Sequence, residues 1–242
     1  MKSIIVTGAS AGIGKAVAER FLSGGWRVGL IARREEALKS VAGDSANAIV
    51  LPADVSDAAA VQDAFETFSR TVENLDCLFN NAGIFTSAAP IDEVSVADWD
   101  RAVSVNLTGM FLCARAAFGQ MRGQSPQGGR IINNGSISAH VPREGAVAYT
   151  VTKHGITGLT RQLALDGRPY NIACGQIDIG NAMTDLLAGI AQQAEAEGKP
   201  PPPSFDVAHV AEAVWQMAAL PLSANTLFQT IMATQMPYVG RG

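Results

Sequence analysis

Three residues in the second half of the chain could together move a proton to or from an oxygen atom. Tyr149 and Lys153 lie four residues apart in the stretch YTVTK, and Ser136 lies thirteen residues before the tyrosine. On a helix, a spacing of four places both side chains on one face. A tyrosine hydroxyl has an ordinary pKa of about 10, and a nearby ammonium group favours its ionised form. With Ser136 holding a carbonyl oxygen, the three residue types suit proton transfer to or from an alcohol or ketone.

The simpler interpretation is that Tyr149 and Lys153 are an ordinary pair on a surface helix, because this spacing is common by chance. The predicted elements around them favour chemistry. A fifth strand, 130–134, delivers Ser136 at its carboxyl end, and a helix from Tyr149 to about Leu165 carries the pair. Functional residues at the carboxyl ends of parallel strands are what an open α/β sheet predicts.

A glycine-rich turn, TGASAGIG at residues 7–14, connects a short β-branched strand at residues 3–6 to an amphipathic helix pattern. Strand, glycine turn and helix form the layout of a dinucleotide phosphate site, because glycines let the backbone approach the pyrophosphate and the helix presents unpaired N–H groups to it. The spacing is G-x-x-x-G-x-G rather than G-x-G-x-x-G, and a mere tight turn is the alternative. The candidate contacts are Gly8, Ser10, Gly12, Ile13 and Gly14.

The second predicted strand, 26–32, ends at Arg33 and Arg34. In a dinucleotide-binding sheet the tip of this strand faces the adenosine ribose, where an acidic residue selects NAD and an arginine suits the 2′-phosphate of NADP. No Asp or Glu occurs until Glu35 and Glu36, within the next predicted helix. The sequence therefore favours NADP(H) over NAD(H), with two solvated arginines near a helix start as the alternative.

Two further strand ends carry candidate cofactor contacts. A third strand, 48–53, ends at Asp54 and Val55, and Asp54 would either meet the adenine edge or cap the helix that residues 56–57 begin. A fourth strand, 75–79, leads to a segment whose small residues would let the backbone lie against the cofactor. Its candidate contacts are Asn81, Ala82 and Gly83.

A long predicted helix between Ser95 and Met121 contains Asn106 amid apolar residues. Asparagine is a poor helix former and tends to divert backbone hydrogen bonds. Asn106 therefore marks either a tolerated polar contact or a deliberate kink with a bound water, and the residue taken alone favours the contact.

The last third of the chain predicts a sixth strand at 171–176, a helix at 207–219 and a seventh strand at 226–232. Between them, a helical stretch runs into four successive prolines, 200–203, which cannot be helical. So long a connection suggests a lid over a site, at about 181–206, with disorder of residues 187–205 as the alternative. We find no linker, and we expect one domain over 1–242, with a dinucleotide-binding half at about 1–85 and a catalytic part at about 86–242.

Composition narrows the class of protein. Of 242 residues, 48% are hydrophobic and 17% charged, which suits a sizeable core and argues against disorder. The net charge of −4, without a basic run longer than two residues, argues against nucleic acid or a membrane surface as a partner. Three scattered cysteines have no metal-ligand spacing, and with no signal peptide they fit a reducing cytoplasm. We expect no apolar stretch to reach the length of a membrane span.

Taken together, the motifs resemble those of the short-chain dehydrogenase/reductase family. They stand here as TGASAGIG at 7–14, NNAG at 80–83, Asn106 in VNLTG, Ser136, and Tyr149 with Lys153. Each is weak alone, but in this order and spacing they are highly specific. The resemblance runs from residue 3 to residue 184 and more loosely beyond. Ile179 departs from it, because the family usually has proline before the glycine that aligns with Gly180.

The resemblance implies a role for each catalytic candidate. Tyr149 would be the general acid for reduction and the general base for oxidation, and Ser136 would orient the substrate oxygen. Lys153 would bind the nicotinamide ribose and lower the pKa of the tyrosine. Asn106 would hold a water that links the lysine to solvent as a proton relay.

The resemblance also implies the fold and the assembly. The fold would be one doubly wound α/β Rossmann domain with seven parallel strands in the order 3-2-1-4-5-6-7, and the alternation of strands and helices supports this class. Gly180 and Thr184 match the segment that touches the nicotinamide. The protein would be a homotetramer or homodimer, packed through the helices that carry Asn106 and Tyr149.

The sequence thus predicts an NADPH-dependent carbonyl reductase, or the reverse alcohol dehydrogenase, that acts on a small molecule. The alternatives are an NAD-linked alcohol dehydrogenase and a non-catalytic NADP-binding regulatory protein, which would not need all four catalytic residue types. A purely structural subunit would have no use for the glycine-rich turn. The loops at 84–91 and 140–146 would complete the substrate pocket with the apolar lid, and His140 there would either contact substrate or be incidental.

Overall fold

The computed structural model describes residues 1–239, and seven of its strands form one parallel sheet. These strands are β1 (Ser3–Thr7), β2 (Arg27–Ala32), β3 (Ala48–Pro52), β4 (Cys77–Asn80), β5 (Gly129–Asn134), β6 (Ile172–Gly180) and β9 (Phe228–Met232). Their order is β3-β2-β1-β4-β5-β6-β9, which confirms the predicted order. The seventh strand is β9 in chain order because two short strands, β7 (Ala182–Met183) and β8 (Phe205–Asp206), pair separately.

Helices cover both faces of the sheet. They are α1 (Gly12–Ser23), α2 (Glu35–Ala42), α3 (Ala58–Thr71), α4 (Val96–Val103), α5 (Met110–Gly123), α6 (Val147–Asp166), α7 (Asp185–Ala196) and α8 (Ala208–Ala219). Successive residues of a strand point to opposite faces, so Ile4 packs in the layer of α1, α2 and α8, whereas Ile5 packs in the layer of α3 and α5. The two apolar layers confirm the doubly wound α/β class.

The sixth strand is longer than its sequence predicts. The predicted strand stops at Gln176, but β6 continues to Gly180 because residues 177–180 pair with residues 229–232 of β9. This pairing joins segments about fifty residues apart, so local alternation of apolar residues does not reveal it. As a consequence Asp178, Ile179 and Gly180 belong to the sheet rather than to a loop after it.

The predicted lid contains a helix and is fastened at its base. The segment 185–196 forms α7, and β7 pairs in parallel with β8 on either side of it. The Asn181 side chain also donates a hydrogen bond to the Pro203 carbonyl at 2.9 Å. Within residues 187–205 the structure has the rest of α7, up to Ala196, and the first residue of β8.

The helical stretch from Val96 to Gly123 is long and apolar enough, by length and composition, to cross a membrane. The expectation that no stretch reaches this length was therefore wrong. A core helix of a globular domain passes the same test, and here Ala102, Met110 and Cys113 are buried. Between α4 and α5 the chain forms a π-helical segment, Ser104–Gly109, so the stretch is not one uniform helix.

A buried arginine fixes the chain before the last strand of the sheet. Arg130 is 2% exposed on β5, and its guanidinium donates to the carbonyls of Pro221 at 3.1 Å and Ala224 at 2.9 Å. It also donates to the side chain of Asn225 at 3.1 Å. Burial lowers the pKa of this guanidinium. Its hydrogen bonds link β5 to residues 220–225, which precede β9.

We expect Arg130→Met to destabilise the protein, because it removes the buried guanidinium that donates to the carbonyls of Pro221 and Ala224. The free energy of unfolding should fall by about 3 kcal/mol, in the range for breaking a buried charged hydrogen-bond network. Urea denaturation measures this. The control is Arg70→Met, because the Arg70 side chain is 73% exposed and its loss should cost less than about 0.5 kcal/mol. Equal effects of the two substitutions would contradict the role of Arg130.

Candidate active site

Helix α6 carries the tyrosine and lysine on one face, as their spacing predicts. The Lys153 ammonium lies 5.5 Å from the centre of the Tyr149 ring. It is buried, and it donates a hydrogen bond to the Asn134 carbonyl at the end of β5, at 2.7 Å. Helix α6 is thereby joined to the carboxyl edge of the sheet, and it begins two residues before the predicted start, at Val147.

Ser136 lies just after β5 and is brought to the tyrosine by the turn that follows. Its side chain accepts a hydrogen bond from the Ser138 N–H at 3.1 Å, which caps the short 3₁₀ turn at 137–139. Hydrogen bonding to the Ser136 side chain is one of the influences on the pKa of Tyr149. The structure therefore brings Ser136, Tyr149 and Lys153 together, two hydroxyl groups beside one amine.

The electrostatics of the tyrosine differ from the expected direction. Burial raises the pKa of Tyr149, and the hydrogen bond with Ser136 and the charge of Arg143 only partly offset it. Burial also lowers the pKa of Lys153 to about 8, although the charge of Asp178 acts to raise it. The amine lies over the ring and bonds to Asn134, and the lowering of the tyrosine pKa by Lys153 stays a prediction.

An aromatic side chain covers the tyrosine ring. Phe85 stacks on Tyr149 with ring centres 4.3 Å apart, and the Arg143 guanidinium lies 5.7 Å from the centre of the Phe85 ring. Neither Phe85 nor Arg143 was singled out from the sequence, because their only signal was membership of two loops. Both loops were predicted to border the substrate pocket.

Asn106 lies in the π-helical segment, and its side chain holds the loop that follows β4. Its amide oxygen accepts from the Ile84 N–H at 2.7 Å, and its amide nitrogen donates to the Ile84 carbonyl at 2.9 Å. The two interpretations of this residue are both partly met, since the polar contact and the distorted helix occur together. Helix α6 packs closely on the same segment, because a Cβ on Gly155 would lie 2.9 Å from Leu107.

The glycine-rich turn is built for close approach of the backbone. Gly8 and Gly12 have positive φ angles of 68° and 53°, which only glycine adopts without strain. A Cβ on Gly14 would collide with the Gly8 carbonyl and would lie 2.7 Å from the Asn81 amide. Ser10 is half-buried in the turn, and Ile13 packs against the core from the first turn of α1.

The start of α1 is open to an anion. Its N-cap, Ala11, provides no side-chain hydrogen bond, whereas α3 and α7 are capped by Asp57 and Thr184. Uncapped N–H groups at a helix start, next to glycines that leave room for a ligand, fit a pyrophosphate group. The residues present therefore fit a dinucleotide.

Thr7 ties the segment after β4 to this turn. Its hydroxyl accepts from the N–H groups of Asn81 and Ala82 at 2.8 and 2.9 Å, and its carbonyl accepts from the Asn81 side chain at 2.8 Å. The Asn134 amide in turn donates to the Asn81 side chain at 2.7 Å. Gly83 approaches the Asn106 side chain, since a Cβ there would lie 3.4 Å from its oxygen.

Arg33 and Arg34 are exposed after β2, where the sequence places the adenosine ribose. Arg34 is the N-cap residue of α2, and Arg33 is near enough to Asp54 to influence its ionisation. Burial acts to raise the pKa of Asp54, but hydrogen bonds from Ser56 and the charge of Arg33 outweigh it, and the pKa is lowered. The two arginines and Asp54 thus share one edge of the site.

The alternatives for Asp54 are partly decided. Asp57, not Asp54, caps α3, because its carboxylate accepts from the N–H groups of Ala59 and Ala60 at 2.8 and 3.2 Å. Asp54 instead accepts from the N–H and hydroxyl groups of Ser56 at 2.9 and 2.7 Å. Val55 is buried against Gly109 of the π-helical segment, where a Cβ would lie 2.9 Å away.

The segment after β6 faces the glycine-rich turn. A Cβ on Gly12 would lie 3.4 Å from the Thr184 methyl group, so these two sequence-predicted cofactor segments are in contact distance. Gly180 ends β6, and a Cβ there would lie 2.9 Å from Met232. Ile179 takes part in pairing between β6 and β9, opposite Ile231.

Sequence reasoning missed a buried carboxylate beside Ser136. Asp178 accepts hydrogen bonds from the Ser136 N–H at 2.9 Å and from the Gln176 side chain at 2.7 Å. His140, which the sequence left open, lies 2.8 Å from its other oxygen. In the sequence, Asp178 stands as a polar residue between Ile177 and Ile179. Because the predicted strand ended at Gln176, this signal was not used.

A groove of about 280 Å³ lies between the two loops predicted to border the substrate pocket and α6. Its walls include Ile91, Arg143 and Val151, so both predicted pocket loops contribute, whereas no residue of the lid does. Tyr149 and Ser136 do not line it. Within residues 1–239 no group of three or more His, Cys, Asp or Glu side chains is placed to hold a metal ion.

Comparison with known proteins agrees with this geometry. The family model for short chain dehydrogenase matches residues 2–195. A 3-oxoacyl-[acyl-carrier-protein] reductase of Aquifex aeolicus is 32% identical over 203 residues, covering 82% of this chain and 81% of that protein. Carbonyl reductase family member 4 of Danio rerio is 34% identical over 212 residues, covering 87% of this chain and 88% of that protein.

A solved structure gives the same fold over nearly the whole chain. The 3-ketoacyl-(acyl-carrier-protein) reductase of Brucella melitensis, complexed with NADH, has a TM-score of 0.86 and 27% sequence identity. The match covers 96% of this chain and 97% of that one. By sequence and by fold, this chain belongs to the short-chain dehydrogenase family of NAD(P)-dependent oxidoreductases, which interconvert carbonyl and alcohol groups.

Proposed function

We propose that this protein is an NADP(H)-dependent reductase of small carbonyl compounds that works through Tyr149, and in reverse an alcohol dehydrogenase. The observation that carries the proposal is the meeting of Ser136, Tyr149 and Lys153 at the carboxyl edge of the sheet. The contact of Gly12 with Thr184 supports it, because that contact joins the nucleotide turn to the same edge. The names of the two sequence relatives, both reductases, agree with it.

Each residue has a defined task in reduction. When bound, the nicotinamide supplies the hydride that reduces the carbonyl carbon. Ser136 donates a hydrogen bond to the carbonyl oxygen and holds it next to the tyrosine hydroxyl. Tyr149 gives its proton to that oxygen as negative charge develops there, and so becomes a phenolate. Lys153 stabilises the phenolate, and we assign it the ribose hydroxyls of the cofactor as further partners.

The proton lost by Tyr149 has to be replaced from solvent. Lys153 is the nearest amine, and a pKa of about 8 lets it release and regain a proton near neutral pH. Asn106 lies in a π-helical segment, whose irregular hydrogen bonding frees backbone groups for a water. We therefore assign Asn106 to a water-mediated relay between the lysine and solvent.

The raised pKa of Tyr149 suits the acid role. A phenol that keeps its proton at neutral pH is ready to donate it, whereas oxidation needs the phenolate. The direction of the shift thus favours reduction near neutral pH. Oxidation should gain rate as the pH rises toward the tyrosine pKa.

The choice of NADP(H) rests on Arg33 and Arg34. Both are exposed at the end of β2, and within residues 1–239 neither forms an ion pair with a carboxylate. An exposed guanidinium that forms no ion pair suits the 2′-phosphate. NAD(H) is the second candidate, because the similar Brucella melitensis structure holds NADH. We place Gly8, Ser10, Ile13, Asp54, Asn81 and Gly180 around the rest of the nucleotide.

We further propose a division of the single domain. Residues 1–85 hold the nucleotide, and the part from residue 86 holds the catalytic groups; its last three residues, 240–242, lie outside the described residues. The segment 181–206 acts as a lid, because Met183, Leu186 and Ile190 are exposed apolar side chains beside Thr184. A lid of this composition suits a substrate with an apolar part.

The site of action is proposed to be the cytoplasm. Cys77, Cys113 and Cys174 are free and buried, and burial raises the pKa of each thiol, which keeps it unreactive. Free thiols of this kind fit a reducing compartment.

Tyr149→Phe should lower kcat/KM for carbonyl reduction by about 10² to 10⁴-fold, the usual worth of a general acid. NADPH consumption with a panel of aldehydes, ketones and quinones measures the loss. Tyr170→Phe is the matched control, because Tyr170 packs on Phe118 away from the site. NADPH binding to Tyr149→Phe, followed by fluorescence, should persist. If this variant kept full turnover, the hypothesis of a non-catalytic NADP-binding protein would replace the proposed function of Tyr149.

The pH dependence of the same reaction is a second readout. In the wild-type protein, kcat/KM for alcohol oxidation should rise continuously from pH 7 to pH 10. The raised pKa of Tyr149 keeps the phenolate a minor form in this range, so its fraction grows with each step in pH. Reduction should not rise over the same interval. An oxidation rate that is flat across pH 7–10 would contradict the acid–base assignment.

Arg33→Asp should lower the ratio of kcat/KM for NADPH to that for NADH by tenfold or more, because a carboxylate repels the 2′-phosphate and accepts from the 2′-hydroxyl. The ratio is measured at a fixed carbonyl substrate. Arg70→Asp, on the exposed side of α3, is the charge-matched control. An unchanged ratio would remove Arg33 from the phosphate site.

We propose a homotetramer or homodimer that packs through the outer faces of α5 and α6. These helices expose Phe111, Val151 and Leu165, and exposed apolar groups on neighbouring helices mark interaction surfaces. Light scattering should give a multiple of the 25.3 kDa chain mass. Phe111→Lys with Val151→Lys should reduce that mass, and a wild-type mass of one chain would contradict the proposal.

A further inference from the structure

Asp178 is a carboxylate buried beside the catalytic serine. Its side chain is 1% exposed. One oxygen accepts from the Ser136 N–H at 2.9 Å and from the Gln176 amide at 2.7 Å, and the other lies 2.8 Å from the His140 Nε2. A buried charge persists when it is fully hydrogen-bonded, and both oxygens of this carboxylate have partners.

The surroundings hold that carboxylate in one orientation. The Gln176 amide that donates to it also donates to the Thr157 hydroxyl at 3.1 Å, and the Gln176 carbonyl accepts from Thr160 at 3.0 Å. A Cβ on Gly135 would collide with the same Asp178 oxygen, so only glycine leaves room for the carboxylate there. The direction in which Asp178 faces His140 is therefore fixed by packing.

This arrangement determines which nitrogen of His140 is free. A carboxylate can only accept, so Nε2 carries the hydrogen that it shares with Asp178. Within residues 1–239 the Nδ1 atom has no hydrogen-bond partner, and the side chain is 38% exposed. The buried carboxylate occupies Nε2, so Nδ1 is the ring nitrogen left for a ligand. His140 lies in the same segment after β5 as Ser136.

We propose that Asp178 is a positioning residue that orients His140, and that the His140 Nδ1 binds a hydroxyl group next to the reacting carbonyl of the substrate. The substrate class is then a hydroxy ketone or hydroxy aldehyde, with a vicinal diol as the reduced product. This inference rests on the proposed function, because Ser136 must hold the carbonyl oxygen for the hydroxyl to reach His140.

A hydroxyl is the group that this imidazole serves best. If the ring is neutral, Nδ1 accepts from the hydroxyl hydrogen; if the ring is protonated, Nδ1 donates to the hydroxyl oxygen. A second carbonyl or a carboxylate would be bound only in the protonated state. The negative charge of Asp178 also acts on both catalytic groups, since it raises the pKa of Lys153 and of Tyr149. The pair is thus within electrostatic reach of the reaction.

The test compares 2-hydroxyacetophenone with acetophenone, two ketones that differ by one hydroxyl. The quantity measured is the ratio of their kcat/KM values, so intrinsic differences in reactivity cancel between variants. His140→Leu should lower this ratio by tenfold or more, as loss of one specific hydrogen bond implies, because any effect of the unpaired Asp178 on the reaction itself acts on both ketones and cancels in the ratio. His140→Gln keeps a polar amide and should retain part of the preference.

The matched control is His154→Leu. His154 is exposed on α6 and bonds to the carbonyl of Thr150 in its own helix at 2.9 Å, so the ratio should not change. A ratio that is unaffected in His140→Leu would overturn the assignment of the hydroxyl to His140.

Asp178→Asn tests the positioning role separately. The amide oxygen would still accept from Ser136, but its NH₂ group would face Nε2 and force the imidazole proton onto Nδ1. Nitrogen-15 spectra of the imidazole should show Nε2 protonated in the wild type and Nδ1 protonated in the variant. The hydroxyl preference should persist, because Nδ1 would then donate to the hydroxyl oxygen, whereas an aspartate that only stabilises the fold would leave the tautomer unchanged. A wild-type ring with its proton on Nδ1 alone would overturn the orientation.

The two levels of the proposal fail differently. If the wild type turned over no carbonyl compound in the panel, the reductase function would fall and the hydroxy-ketone assignment with it, while the spectra would still decide the orientation of His140. If the wild type reduced acetophenone as well as 2-hydroxyacetophenone, and His140→Leu left the ratio unchanged, only the inference about His140 would fall.

Discussion

The burial of one lysine ammonium group constrains the whole candidate site. Lys153 is 3% exposed, and a charge removed from water needs compensating partners. The Asn134 carbonyl and the charge of Asp178 supply them, and a pKa of about 8 shows that the compensation is incomplete. Because both partners lie at the carboxyl edge of the sheet, α6 has to sit against β5 and β6. That position brings Tyr149 to Ser136.

The second constraint is the close approach of backbone segments to one another and to buried side chains, and it explains the glycines at residues 8, 14 and 135. A Cβ on Gly14 would enter the Gly8 carbonyl, and one on Gly135 would enter the Asp178 carboxylate. The first approach shapes the turn that opens α1, and the second admits a charge beside the serine. Thr7 connects the two regions through Asn81, which is bonded to Asn134. The nucleotide turn and the catalytic groups are therefore one hydrogen-bonded unit.

Local pattern was enough to predict most elements, because parallel strands buried on both faces appear as β-branched runs and helices as amphipathic ones. The meeting of Ser136, Tyr149 and Lys153 was predictable for the same reason, since they lie within eighteen residues of one another. Local pattern did not predict the features that depend on residues far apart along the chain. The length of β6 depends on β9, the place of Asp178 depends on that length, and the pKa of Tyr149 depends on burial by the surrounding elements. The motifs singled out neither Phe85 nor Arg143, because a loop position carries no periodic signal.

The sequence by itself determined the fold class, the glycine-rich turn and the order of the candidate catalytic residues, because these follow from composition and short-range spacing. Only the tertiary structure decided which side chains share a hydrogen bond, which charges are buried and in which direction each pKa moves. Those properties arise when residues that are separated along the chain, such as Ser136, His140 and Asp178, are enclosed together. In such a place water does not screen the interactions between their charges.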